Sequence, residues 1–352
     1  TRNLTSILQK RYSGYSDTLF DRSSRGGWVG SKLDPNLPRI SDRAWLRIVA
    51  NKDIQEQERG IGQQVDEDHV AVSSVSQFAG SLGTIAKRYP ERFGRLALRF
   101  PEDIHPLYVS AIMGAMALTK PDPSMAEELK ASWEPASAAT VVSVWERFRD
   151  LGETGVELAF CRMVSSRATE EWPSSAIECL VSLAIEHPDP KPNRLIVHCD
   201  KSADEATIDM LFQNTVNCVR GAAAEAMGQL LWYHCDWLGR MERGITALVN
   251  DPHPVVRMAA LHALPPVLNI DRDRAVSWFC TASHDDPRIP ASLIGIRLFN
   301  YTVQRYVDQL FPLINGMVES DRPEVAHQGA QAVAAYHLFY ALFEKETTEI
   351  TT

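Results

Sequence analysis

The chain has 352 residues, 45% hydrophobic and 23% charged, with a formal net charge of -9 and a pI near 5.6. That apolar content excludes a disordered chain, which lacks the side chains to offset its own ordering entropy. The acidic balance excludes a chain-wide nucleic-acid wrapper, because phosphate contacts need clustered Lys and Arg. At roughly 150 residues per domain the length fits two domains or one long array. The 37 alanines lean the expectation toward closely packed helices, since Ala is the best helix former.

The chain opens on Thr1-Arg2-Asn3 without a basic-then-apolar leader pattern and reads as a piece of a larger protein. No apolar run approaches the ~18 residues that span a bilayer. Cys161, Cys179, Cys199, Cys218, Cys235 and Cys280 form no C-x-x-C pair. They read as small buried hydrophobes in a reducing cytoplasm.

Residues 1–40 form an irregular basic segment. The first fifty residues carry nine Lys or Arg against four Asp, a net of +5 that leaves -14 for the other 302. Gly26, Gly27, Gly30, Pro35 and Pro38 break any helix there. From 41 to 187 the pattern is a divergent array of helical pairs. Ser41-Asp42 caps a short helix with Trp45, Leu46, Ile48 and Val49 as its apolar set. Residues 51–70 are polar, a length that marks a mobile or functional connection. Val72, Val75, Phe78, Ala79, Leu82, Ile85, Ala86 and Tyr89 then make one helical stripe. Pro90 ends it and starts another helix to Phe100, and a third runs from Pro106 to Thr119. Ser124-Met125-Ala126-Glu127 reads as a capping box, and helical patterns follow at 136–150, 153–166 and 173–187. Prolines 188, 190 and 192 then break the array over 188–204. Leu195-Ile196-Val197 is the one plausible strand. A second capping box, Ser202-Ala203-Asp204-Glu205, leads into helices over 205–345, and 346–352 is a polar tail.

The strongest signal lies in that last stretch. Asp251-Pro252, Asp286-Pro287 and Asp321-Arg322-Pro323 recur 35 residues apart. Asp suits the N-cap and Pro the first turn, so each is expected to start a helix. Ala-rich helices follow at Val256-Arg257-Met258-Ala259-Ala260 and Val325-Ala326-His327-Gln328-Gly329-Ala330. An earlier copy is Val219-Arg220-Gly221-Ala222-Ala223-Ala224, and a degenerate one starts at Ile289. A second apolar helix, such as Trp237–Val249 or Tyr306–Val318, lies between copies. Two helices per period of about 33–37 residues mean an α-solenoid. Small residues let partner helices approach closely, and the Val-Arg arginine is placed to reach an Asp of its own or the neighbouring repeat.

These residues resemble the HEAT repeat, whose units carry Asp, then Val-Arg and an Ala-rich helix, with Pro inside the first helix as at Pro265-Pro266. The resemblance covers about 205–345 and implies an all-α, right-handed solenoid of antiparallel helix pairs. A looser resemblance rests on Ile40–Ile48, Phe78-Ala79, Pro90–Leu98 and Cys218–Ala226. It is to the C-terminal helical region of large bacterial STAND-class NTPases, and implies a sensor module beside a nucleotide-binding domain, in defence against phage.

Sites were weighed against plainer roles. Gly26-Gly27-Trp28-Val29-Gly30-Ser31-Lys32 fails the spacing of a phosphate loop. His-Cys-Asp occurs at 198–200 and 234–236, but adjacent residues on a helix diverge, and no metal or cofactor is expected. The run Trp232-Tyr233-His234-Cys235-Asp236-Trp237 resembles the Asp beside Trp of HEAT-like DNA glycosylases. Base extrusion needs an electropositive channel, so aromatics plugging a helix–helix gap is the favoured reading. No nucleophile elbow, zinc helix or paired-carboxylate motif marks an enzyme. The expectation is therefore a non-enzymatic recognition module for a protein or peptide, with a nucleic-acid enzyme as the competing class. Its candidate surface is Arg240, Arg243, Arg272, Arg274, Arg305 and Gln309 on successive second helices, with 51–70 and the basic 1–50 segment as alternative contacts.

Overall fold

The computed structural model describes residues 28–31, 33–55, 61–64 and 69–343. Over them helices dominate, as the all-α expectation requires, with one small sheet as the departure. The Gly26-Gly27 pair, most of the basic segment and the polar tail lie outside the described residues. By contact density the chain divides into Thr1–Ile85 with Phe100–His105, and Ala86–Arg99 with Pro106–Thr352.

In the smaller unit, β1 (Trp28–Ser31) runs parallel to β3 (His69–Ser73), and β2 (Ile61–Gln64) runs antiparallel to β3. Trp28 stands opposite His69, and Ile61 opposite Ser73. The polar 51–70 connection thus carries a one-turn helix at Lys52–Gln55, all of β2 and the start of β3, elements its sequence did not announce. Val70 and Val72 alternate with small or polar neighbours, a pattern that suits a pleated strand. Val72 accordingly leaves the helical stripe. Helix α1 (Asp42–Val49) is capped as expected, Ser41 accepting a hydrogen bond from the Ala44 amide. It buries Trp45 and Val49 completely. The next long helix, Val75–Arg88, buries Val75, Phe78, Leu82 and Ile85.

The described residues of the larger unit are mostly helical. Its first part holds α2 (Pro106–Met116), α3 (Ala138–Phe148), α4 (Thr154–Ser166) and α5 (Ser174–Glu186). Trp145, Phe160 and Trp172 form an aromatic core, with Trp145 and Phe160 stacked at 5.3 Å. The capping box at Ser124 does not form. Asp122 takes both the amide and the hydroxyl of Ser124 into its own turn, and a short helix starts later, at Glu127.

The second part continues with α6 (Ile208–Thr215), α7 (Val219–Tyr233) and α8 (Leu238–Val249). A broken first helix follows: Pro254–Ala260, a 3-10 turn at Leu261–Ala263, then α9 (Leu264–Ile270). After it come α10 (Arg272–Ser283), α11 (Leu293–Thr302), α12 (Val307–Val318) and α13 (Pro323–Tyr340). First helices pack on first helices, α2 on α4, α4 on α7, and α7 on Pro254–Ala260 and α9. Second helices do the same, α5 on α8, α8 on α10, α10 on α12. Close approach needs glycine at Gly228 of α7, where a Cβ would lie 2.5 Å from the His262 carbonyl oxygen.

The recurring aspartates do not cap helices directly. Asp251 accepts the His253 amide at 2.8 Å and Asp286 the Arg288 amide at 3.1 Å, so each closes a turn two residues long. The caps proper are His253 and Ser292. The Val-Arg expectation holds at Arg220, which reaches Asp251 of the next repeat at 2.5 Å.

The 188–204 stretch lies within the larger unit, where side chains from four later segments bond it and the adjoining Ala206. Arg220 bonds the Pro190 carbonyl, His253 that of Arg194, Arg288 those of Ala203 and Ala206, and Arg322 that of Ala206. Buried Asn214 holds its middle, accepting from the Ile196 and Val197 amides and donating to the Val197 carbonyl. Leu195-Ile196-Val197 is therefore a tethered turn and not a strand. The second capping box closes a turn too, Ser202 accepting from Glu205, while α6 starts later on Thr207.

Candidate functional site

A cleft of about 500 Å³ opens along α7, the broken helix of 254–270 and α11. Helix α7 contributes Gln229 and Trp232, three apart and so on one face. The broken helix contributes His262, Pro265, Leu268 and Asn269. Helix α11 contributes Ile294, Arg297, Leu298 and Tyr301, with Arg297 and Tyr301 four apart. Arg272, at the start of α10, completes the wall.

Local sequence explains the opening. Gly228 seats α7 directly against the His262–Ala263 backbone of the 3-10 turn. Pro265-Pro266 then occupy the first turn of α9, where their missing amides cost nothing, and redirect the chain. Trp232 stays 50% exposed and Tyr301 62% exposed at the two sides.

The cleft lining holds two guanidinium groups and no acid. Arg297 makes no ion pair among the described residues. Arg272 stands at a helix N-terminus, where the helix dipole disfavours a cation. Among the described residues its side chain makes one hydrogen bond, a long 3.5 Å approach to the Tyr301 carbonyl. At the floor, burial pulls the pKa of His262 down to about 4, so the imidazole is neutral. Phe212 stacks on it at 6.3 Å, and its Nε2 is buried without a hydrogen-bond partner.

Across α11 lies a second hollow of about 510 Å³ with the opposite charge. Asp209 and Glu324 line it with Leu293, and no base does. Leu293 is 60% exposed on the ridge between the two.

Of the five arginines and one glutamine expected to form the recognition surface, Arg272 alone lines the cleft. Arg274 is engaged by Glu242 at 3.0 Å and by Asp271 at 3.2 Å. Arg240 lies over the Trp237 ring and Arg305 over Tyr306. Arg243 and Gln309 are exposed on α8 and α12. Arg297, Tyr301 and His262 were not anticipated, although their three- and four-residue spacing with other polar and aromatic residues on first helices was available.

The aromatic run divides. Trp237 does plug the helix–helix turn, stacked on His234 at 4.0 Å, but Trp232 and Tyr233 face outward. Asp236 is exposed in that turn and does not line the cleft that holds the cations. The two His-Cys-Asp triplets are engaged otherwise: His198 pairs with Gln213 and His234 with the Ala168 carbonyl. Among the described residues no three His, Cys, Asp or Glu side chains gather as a metal would require. Cys199 and Cys235 are exposed, which corrects the expectation that the cysteines are buried, while Cys161 and Cys218 are buried. No helix among the described residues is long and apolar enough to cross a membrane.

Compared with protein-family models, with curated proteins and with solved structures, the chain gives no match.

Proposed function

We propose that the chain is a non-enzymatic recognition module, a right-handed HEAT-like α-solenoid that binds a protein or peptide across its repeats. The observation that carries this is the cleft itself. Exposed Trp232 and Tyr301 and the cations Arg272 and Arg297 converge on one hollow from three successive repeats. Trp, Tyr and Arg are the side chains that dominate binding energy at protein interfaces. The solenoid reading is supported by first helices packing on first helices and second on second, and by the Arg220–Asp251 link between repeats. The wider setting rests on the sequence resemblance alone: a cytoplasmic sensor region of a bacterial STAND-class protein, whose neighbouring NTPase domain responds to capture of a phage component.

The test pairs two probes on the purified chain, a displayed library of random peptides and a labelled DNA duplex. Recognition of peptide predicts repeated enrichment of related sequences and little duplex binding. Duplex binding with a steep fall in affinity as salt rises, and no peptide enrichment, would overturn it in favour of the nucleic-acid class.

A further inference from the structure

Resting on that reading, we propose that the cleft between α7, α9 and α11 takes an extended peptide segment in which an acidic residue stands beside a large apolar or aromatic one. Arg297 is uncommitted within the described residues, and Arg272 sits where its own helix disfavours it. Planar guanidinium groups match carboxylate oxygens two at a time, a fit that lysine does not offer. Trp232 of α7 and Tyr301 of α11 are both exposed where they line the cleft, which Pro265 and Leu268 of α9 line as well. That is a slot for an apolar side chain, and large exposed apolar surface of this kind marks a binding site.

The neighbouring hollow decides between peptide and single-stranded nucleic acid. Arginine with aromatic rings also suits bases and phosphates. A nucleic acid, however, repeats its negative charge at every residue. Crossing α11 past Leu293 would carry that charge into a hollow lined by Asp209 and Glu324 and by no Lys or Arg. A peptide changes charge from one residue to the next. A helix is about 10 Å across and an extended chain rises about 3.3 Å per residue. The segment therefore carries its acid on the Arg272 side and no acid roughly three residues further along, over Leu293.

Peptides selected from a random library on the wild-type chain, measured by fluorescence anisotropy against variants, test this. The proposal expects Asp or Glu within two residues of Trp, Phe or Leu in the selected sequences. It expects Arg297→Ala and Trp232→Ala each to weaken binding roughly tenfold, with circular dichroism unchanged because both positions are exposed. Arg243→Ala, exposed on α8 and outside the cleft, leaves binding as in the wild type. Selected peptides that are neutral or basic, or that bind the Arg297→Ala and Trp232→Ala chains as tightly, overturn the cleft assignment while leaving peptide recognition standing. A library that yields no enrichment removes both. Binding of oligothymidylate that is lost in Arg297→Ala replaces the peptide with a nucleic acid.

Discussion

Asp251 and Asp286 stand 35 residues apart, and both are buried carboxylates satisfied by an arginine. Arg220 reaches Asp251 from the preceding repeat, whereas Arg288 grips Asp286 from two residues away through bonds of 2.8 and 2.6 Å. Removing the arginine leaves a buried, unpaired charge. Arg288→Met is expected to cost about 3–5 kcal/mol in urea unfolding, more than its lost contacts alone, because Ala203 and Ala206 also lose a donor. His262 gives a pH prediction. Its folded pKa, about 4, lies below its ordinary value of 6.5. As pH falls from 6.5 toward 4 the unfolded chain takes up a proton that the folded chain refuses. Stability therefore drops across that window, by on the order of 1 kcal/mol per pH unit, and levels off below it. Unfolding measured from pH 4 to 7 should show a shallower slope in His262→Gln than in the wild type. The 35-residue spacing made the aspartates legible in the sequence, but their role was misread. A carboxylate before proline caps a helix or closes a two-residue turn with the same composition, and only the observed amide partner distinguishes them.

At the scale of the element, two features hold the later repeats together. Gly228 lets α7 meet the His262–Ala263 backbone, and a methyl group there would sit 2.5 Å from a carbonyl oxygen and 3.0 Å from a Cα. Backbone cannot rotate away as a side chain can. Gly228→Ala is expected to destabilise by about 1–3 kcal/mol in thermal unfolding, despite alanine's better helix propensity. Asn214 ties down the irregular 188–204 stretch with three side-chain hydrogen bonds, to the Ile196 and Val197 amides and the Val197 carbonyl. Asn214→Ala should cost about 1–3 kcal/mol and speed proteolytic cleavage between Arg194 and Ser202 relative to the wild type. Helices were the legible elements. Trp45 and Val49, or Leu82 and Ile85, repeat at three and four residues, so their periodicity is local. The sheet was not legible, because β1 pairs with β3 across some forty residues and no local pattern announces that partner. The 188–204 stretch was visible as a break, yet its docking rests on Arg220, His253, Arg288 and Arg322, each from a different repeat.

For the whole molecule, net charge misleads when read as one number. The chain is acidic, yet the larger unit concentrates Arg272 and Arg297 in one hollow and Asp209 and Glu324 in the next. The sequence pointed to Arg240, Arg243, Arg272, Arg274, Arg305 and Gln309 as polar residues on successive second helices, where a solenoid presents an extended surface. Apart from Arg272 at the start of α10, the lining of the 500 Å³ cleft comes from α7, the broken helix and α11. That geometry depends on three repeats at once, which no single helical pattern encodes. Hydrogen exchange of the wild-type chain with and without a library-selected peptide tests the central claim most directly. The account predicts slowed exchange concentrated at 229–233, 264–272 and 294–302, with α8 and α12 unchanged. Protection confined to α8, α10 and α12, or none at the three cleft segments while the peptide stays bound, would contradict it.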